Sequence, residues 1–229
     1  MIKKITLLFL LLTFVLPIHT QENCSKYYTL EEGANFKYAN YGKNGNKEGS
    51  IHYKVHNVTH NDMDTEAWIK ISYKDIKGKE FLTSDHNFNC IDNVVEIDYE
   101  SIITSDMMKQ YQGKKMEISG SNIILPNDLK VGKKLDDANV NMRMDMGGTK
   151  KNFQVDLINR SVEKQEATTT PAGTFDCYVI YGERVTKQMI KQTFQTRLWL
   201  SEGVGMIKQE TYDKGGNLMN SLVLAQYSD

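Results

Sequence analysis

Three prolines and three cysteines in 229 residues leave little room for a proline-rich linker or a dense disulfide scaffold. Charge of one sign is also missing. The 28 basic and 29 acidic side chains nearly cancel, so no basic excess of nucleic-acid-binding size exists. Long hydrophobic runs are confined to one place, Ile5 through Leu16, which is about 12 residues and short of the ~20 that cross a hydrocarbon core. A transmembrane segment is therefore not expected.

That run follows Lys3 and Lys4 and ends at Pro17, the pattern of a secretory signal peptide over residues 1–20. Its removal leaves 26 basic against 29 acidic residues and a single β-rich domain over residues 21–229. Gln21, Glu22 and Asn23 ahead of Cys24 are not the small apolar residues of a lipobox. The protein is expected in an exported compartment, the periplasm or the extracellular space.

An oxidising compartment permits one bridge among Cys24, Cys90 and Cys177, with three possible pairings. Cys177 alternates with Phe175, Val179 and Tyr181 and reads as a small buried hydrophobe. Cys24 and Cys90 are then the better pair, stapling a polar N-terminal arm to a strand that ends before the Asp92-Asn93 turn. Three reduced thiols remain the alternative.

Period-two alternation dominates what is present. Ile51, Tyr53 and Val55 alternate with His52, Lys54 and His56, and Ala67, Ile69, Ile71 and Tyr73 with polar neighbours. Strands are expected over about 80–90 and through Val95, Ile97 and Tyr99. Val140, Met142, Met144 and Met146 form one strand face, and across Gly147-Gly148 Phe153, Val155 and Leu157 form another, which reads as a hairpin. Further strands cover about 175–181, 193–201, 205–212 and 218–226. One segment differs: Ile103, Met107 and Tyr111 are spaced by four, with Ser101 or Ser105 as cap and Gly113 at the stop, which predicts one helix of two to three turns. A lone amphipathic helix must bury its stripe against a sheet. The expected architecture is mainly β, a single strongly curved antiparallel sheet, an open or partly closed barrel, with one helix packed on its concave face. A two-sheet sandwich satisfies the same constraints.

Catalytic and metal motifs are absent as patterns. His52, His56 and His60 are spaced by four, which on a strand spreads them over about 13 Å, too far for one metal. There is no HExxH, no paired CxxC, no glycine-rich phosphate loop and no nucleophile elbow around Ser119-Gly120-Ser121. No catalytic residue, metal ligand or cofactor site is nominated. The suggestive feature is the methionine face. Thioethers adapt to irregular apolar shapes, so Val140, Met142, Met144, Met146, Phe153, Val155, Leu157 and Met107 are candidates for lining an apolar cavity. An ordinary packed core uses the same residues.

The segments Thr170-Pro171-Ala172-Gly173-Thr174-Phe175-Asp176-Cys177-Tyr178-Val179 and Leu198-Trp199-Leu200-Ser201-Glu202-Gly203-Val204-Gly205-Met206 resemble the TapB family of exported bacterial proteins. So do Asn23-Cys24-Ser25-Lys26-Tyr27-Tyr28 and Leu125-Pro126 through Val131-Gly132. That family carries no assigned activity. In pattern it is similar to domains whose fold resembles the lipoprotein carriers LolA and LolB, in which a curved sheet faces helices across an apolar cavity. The chain departs from the carriers in showing one helix. The resemblance implies a non-enzymatic envelope protein that binds an apolar or lipid-like ligand, or a lipidated partner, in the concavity of its sheet. The alternative is a structural or protein-interaction module with no small-molecule ligand. Nucleic acid is not an expected partner of either.

Overall fold

A computed structural model describes residues 24–61, 64–111, 113–145, 148–187 and 190–228. The segment read as a leader lies outside them, as does Met146. Alternation translates directly into burial: along Asp64–Asp75, Ala67, Ile69 and Ile71 are buried while Glu66, Trp68 and Lys70 are exposed. Each such strand has one oily and one wet face, and antiparallel pairing of thirteen of them builds one sheet.

The N-terminal half is a meander of β1 (Asn35–Gly42), β2 (Lys47–Asn61), β3 (Asp64–Asp75), β4 (Glu80–Ile91) and β5 (Val94–Ile97). Asp92 and Asn93 join the last two, both at positive φ as a two-residue hairpin of this hand requires. After a helical region come β6 (Met116–Ser121) and β7 (Ile123–Pro126). The second meander runs through β8 (Ala138–Asp145), β9 (Lys150–Thr170), β10 (Gly173–Lys187), β11 (Lys191–Ser201), β12 (Gly205–Tyr212) and β13 (Leu218–Ser228). β13 pairs with β1 from Asn35 opposite Ser228 to Gly42 opposite Asn220, and this joint fuses the two meanders.

The outermost strands of the sheet are β6 and β7, which are consecutive in the chain. β6 pairs with β8 and β7 with β5, so Asn122 between them carries the chain from one edge of the sheet to the other. The sheet is thereby nearly closed into a barrel, and its seam is bridged covalently. Asn122 Oδ1 accepts from the Tyr99 amide at 3.2 Å and its Nδ2 donates to Glu96 at 3.4 Å. Gly120 sits at this seam: a Cβ there would lie 2.2 Å from the Asn139 carbonyl oxygen and 2.9 Å from the Tyr99 ring. Arg160 also spans the seam, its Nη1 donating to the Asp136 carbonyl at 2.6 Å and the Ile124 carbonyl at 3.5 Å. Carbonyls that lack a strand partner are satisfied in this way.

The helical region is shorter than its spacing predicts. It divides into a 3-10 turn (Tyr99–Ile102) and α1 (Ser105–Gln110), separated by extended Ile103 and Thr104. Asp98 caps the start of the 3-10 turn by accepting from the Glu100 amide, and the break comes from the Thr104 hydroxyl, which, rather than Ser101 or Ser105, accepts from the Met107 amide. Also unforeseen from alternation were β1, β6 and β7, and the length of β9, which spans 21 residues. Register shifts between Val179 and Ile180 and between Tyr181 and Glu183 let β10 follow β9 around a strong curve.

Two apolar clusters fill the barrel. The larger gathers side chains from β1 to β5, β7 and β9 to β13 with Tyr27 and Leu30 of the N-terminal arm and Leu129 and Leu135 of the β7–β8 connection. The smaller packs α1 and the 3-10 turn against β8 and β9. Among the described residues no helix is long and apolar enough to cross a membrane.

Candidate functional site

The N-terminal arm ties one end of the barrel together. Cys24 is disulfide-bonded to Cys90 of β4, with Cα atoms 5.8 Å apart. Asn127 receives the Lys26 amide at 2.9 Å and donates to the Cys24 carbonyl at 2.6 Å, while the Thr29 hydroxyl donates to the Gly203 carbonyl at 2.7 Å. The arm thus touches β4, the β7–β8 connection and the β11–β12 turn. Tyr28 follows, its ring edge-on to Phe88 at 5.4 Å and pressed against Gly205, where a Cβ would stand 2.9 Å from the ring. Gly205 has φ +92°, so the turn and the ring both require glycine.

Beyond Tyr28 the barrel holds a partly open cavity of about 500 Å³. Its wall comes from interior positions of several strands: Phe36 and Tyr38 of β1, Ile51 and Tyr53 of β2, Ile71 of β3 and Phe88 of β4. Registers align these side chains across the sheet, with Phe36 opposite Tyr53, Tyr38 opposite Ile51, and Tyr53 opposite Ile71. Tyr38 and Tyr53 meet edge to face at 5.1 Å, and the Tyr38 hydroxyl donates to the Met206 carbonyl at 3.0 Å. Burial disfavours the charged form of these phenols: the pKa of Tyr28 is pushed up to about 12, and those of Tyr38 and Tyr53 are raised as well. They are neutral hydrogen-bonding aromatics at any physiological pH. Ser101, Thr104 and Asp106 of the helical region and Asn40, Thr211 and Asn220 add polar lining.

Besides Arg197, which Glu163 holds in an ion pair, two arginines reach the same cavity. Arg160 of β9 is 7% exposed, and Arg184 of β10 stands opposite Leu157 and Phe194 with its guanidinium 5.5 Å from the Phe194 ring centre. Burial lowers the proton affinity of both below the arginine norm. Among the described residues neither takes part in an ion pair with a carboxylate.

The methionine face is placed elsewhere. Val140, Met142 and Met144 of β8, Phe153 and Val155 of β9 and Met107 of α1 come together as the smaller apolar cluster, and Leu157 packs at its border. Val140, Met144 and Val155 are fully buried. Only Leu157 of this set also lines the 500 Å³ cavity. Met107 and Met142, with Met108, Met116, Tyr111 and Ile118, line a second space of about 330 Å³. His86 borders that space, its Nε2 2.9 Å from the Ser84 hydroxyl and its Nδ1 buried without a partner. Burial holds its proton affinity below the histidine norm. A base must become imidazolium while it works, so an unoriented histidine in this setting is poorly suited to activate Ser84.

Sequence reasoning missed the residues of the larger cavity for two reasons. The alternation of Ile51, Tyr53, Val55 and of Ile69, Ile71, Tyr73 was visible, but a face pattern does not distinguish a wall from a packed interior. Ile180, Gly182 and Arg184 share a face that a polar arginine disguises. Cys177 is fully buried, and burial raises its thiol. Of the histidines once considered for a metal, His56 pairs with Asp85 at 2.9 Å and His60 lies 3.1 Å from the Thr65 hydroxyl. No cluster of three or more His, Cys, Asp or Glu among the described residues is arranged to hold a metal.

Fold and site together define a nearly closed antiparallel β-barrel-like protein with an aromatic-walled interior cavity. The chain belongs to the DUF3108-like family, whose model matches residues 31–224. Its fold is shared with a Bacteroides fragilis protein described as exported and as having a YmcC-like fold, at 18% identity and a TM-score of 0.76, covering 90% of this chain and 100% of that one. A Parabacteroides distasonis protein described as a lipoprotein is similar at 22% identity and a TM-score of 0.75, covering 89% of this chain and 99% of that one. A comparison with curated proteins finds no match.

Proposed function

We propose that this is an exported, non-enzymatic envelope protein whose barrel interior binds an apolar or lipid-like ligand. The observation that carries the reading is the cavity of about 500 Å³, within the ~300–1,000 Å³ of small-molecule sites and walled by Phe36, Tyr38, Ile51, Tyr53, Ile71 and Phe88. Export is supported by the leader pattern of residues 1–20, by the Cys24–Cys90 bridge and by the descriptions of the two structural relatives. The resemblance to the TapB family, and through its pattern to the carriers LolA and LolB, supports a lipid-like occupant.

The test is native-state binding of an apolar fluorescent dye, together with native mass spectrometry of the purified protein for a co-purified ligand. Ile51 lies on the wall, so Ile51→Trp fills the cavity and should abolish dye enhancement while the protein still unfolds cooperatively. A wild-type protein that gives no dye signal and carries no ligand, or an Ile51→Trp variant that binds dye normally, would overturn the reading.

A further inference from the structure

Arg184 is the exception to the chemistry of the cavity wall. Its Nε is shut off from solvent and has no hydrogen-bond partner among the described residues, and its neighbours across the strands are Leu157 and Phe194. The Phe194 ring offers a quadrupole at 5.5 Å and no lone pair. Glu48, Asp106 and Glu183 border the cavity, yet none forms an ion pair with Arg184. Of the other two arginines in the lining, Arg197 is held by both carboxylate oxygens of Glu163, and Arg160 rests on neutral acceptors, the carbonyls of Asp136 and Ile124. A guanidinium withdrawn from water is costly unless an anion or several acceptors replace the hydration it loses. Arg160 has its acceptors from the seam; Arg184, half-buried, lacks an equivalent for its Nε and lines a cavity whose wall is mainly aromatic and aliphatic with polar groups among them.

We infer that the ligand is a single-chain amphiphile with an anionic head, its carboxylate or phosphate held by Arg184 and its chain lying along Phe36, Tyr38, Ile51 and Tyr53. This deepens the apolar-ligand reading and rests on it. Size agrees with one chain: if a methylene takes about the space of a water molecule, ~30 Å³, the 500 Å³ cavity accepts on the order of 16 such groups. A planar fork of donors suits either oxyanion, and the source of the head is left to the choice of probes.

The experiment compares dodecanoate, dodecyl phosphate and dodecanol, three probes with one chain and different heads, by displacement of the bound dye from the full mature protein. The two anions should bind about ten- to hundredfold more tightly than the alcohol, the effect of gaining charge-assisted hydrogen bonds. Preference for one anion over the other identifies the head. Arg184→Gln should bring anion and alcohol to similar affinity with dodecanol binding unchanged, and Arg184→Lys should keep part of the preference. Because the guanidinium lacks a partner, Arg184→Gln is expected to melt no lower than wild type. Equal binding of anions and alcohol by the wild type, or a preference that survives Arg184→Gln, would overturn the role of Arg184 while leaving the apolar cavity standing. Failure of all three probes and of the dye would instead overturn the apolar-ligand reading itself.

Discussion

Breaking the Cys24–Cys90 bridge, by reductant or by the Cys24→Ala, Cys90→Ala double variant, removes a link across 66 positions of sequence. In the chain-entropy view the link stabilises the fold by denying the unfolded chain the conformations in which its ends are far apart. For a loop of this size the entropy term is about 15 cal/mol/K, or about 4 kcal/mol at room temperature. A domain of this length shifts its melting temperature by roughly 2–4 °C per kcal/mol, so the reduced protein should melt roughly 8–16 °C lower. The fold should survive, because the arm keeps its bonds to Asn127 and Gly203 and the buried side chains of Tyr27 and Leu30. The assay is calorimetry of oxidised, reduced and double-alanine protein, with circular dichroism to confirm that the sheet persists. Agreement between the reduced and double-alanine forms separates the cross-link from side effects of either treatment. A drop below about 3 °C in both would refute the reasoning, since it would mean that the unfolded chain already keeps the arm near β4.

The methionine face gives a contrasting outcome. Met144 is fully buried in the smaller cluster and does not line the larger cavity, so Met144→Ala should cost about 2–5 kcal/mol in urea unfolding and leave dye binding intact; loss of binding with little loss of stability would place the ligand on that face after all. Alkaline titration probes the aromatic wall. Tyr28, Tyr38 and Tyr53 keep their protons in the folded state above the usual phenol value of 10.0, whereas the unfolded chain releases them near it. Stability from this source is therefore fully present below pH 10 and falls as pH rises toward 12, where Tyr28 ionises in the fold. Urea midpoints and tyrosinate absorbance should both report it, and phenols that all titrate near pH 10 without loss of structure would contradict the burial of the wall.

Alternation by itself determined that this protein is an antiparallel β structure. A period of two has one structural meaning, and it was strong enough in β3, β4 and β8 to place those strands. Cysteine context likewise singled out the pair that proves bridged, because Cys177 sits mid-strand in an apolar run while Cys24 lies in a polar arm and Cys90 ends a strand before a turn. Three matters were decided only in three dimensions. The sheet closes because β6 and β7, each four to six residues and weakly patterned, pair with opposite edges on either side of Asn122, and long-range register of that kind leaves no local trace. The helix splits because the Thr104 hydroxyl takes the Met107 amide that an unbroken helix would bond to the Ile103 carbonyl. The larger hollow lies against the tyrosine and isoleucine face, and a smaller one of about 330 Å³ remains beside Met107 and Met142, since the short α1 and its 3-10 neighbour cover β8 and β9 and occupy most of that side. A sequence states which side chains share a face. Which faces meet, and at what distance, depends on how all the strands curve together, and that is where an inward arginine with nothing to bind becomes visible.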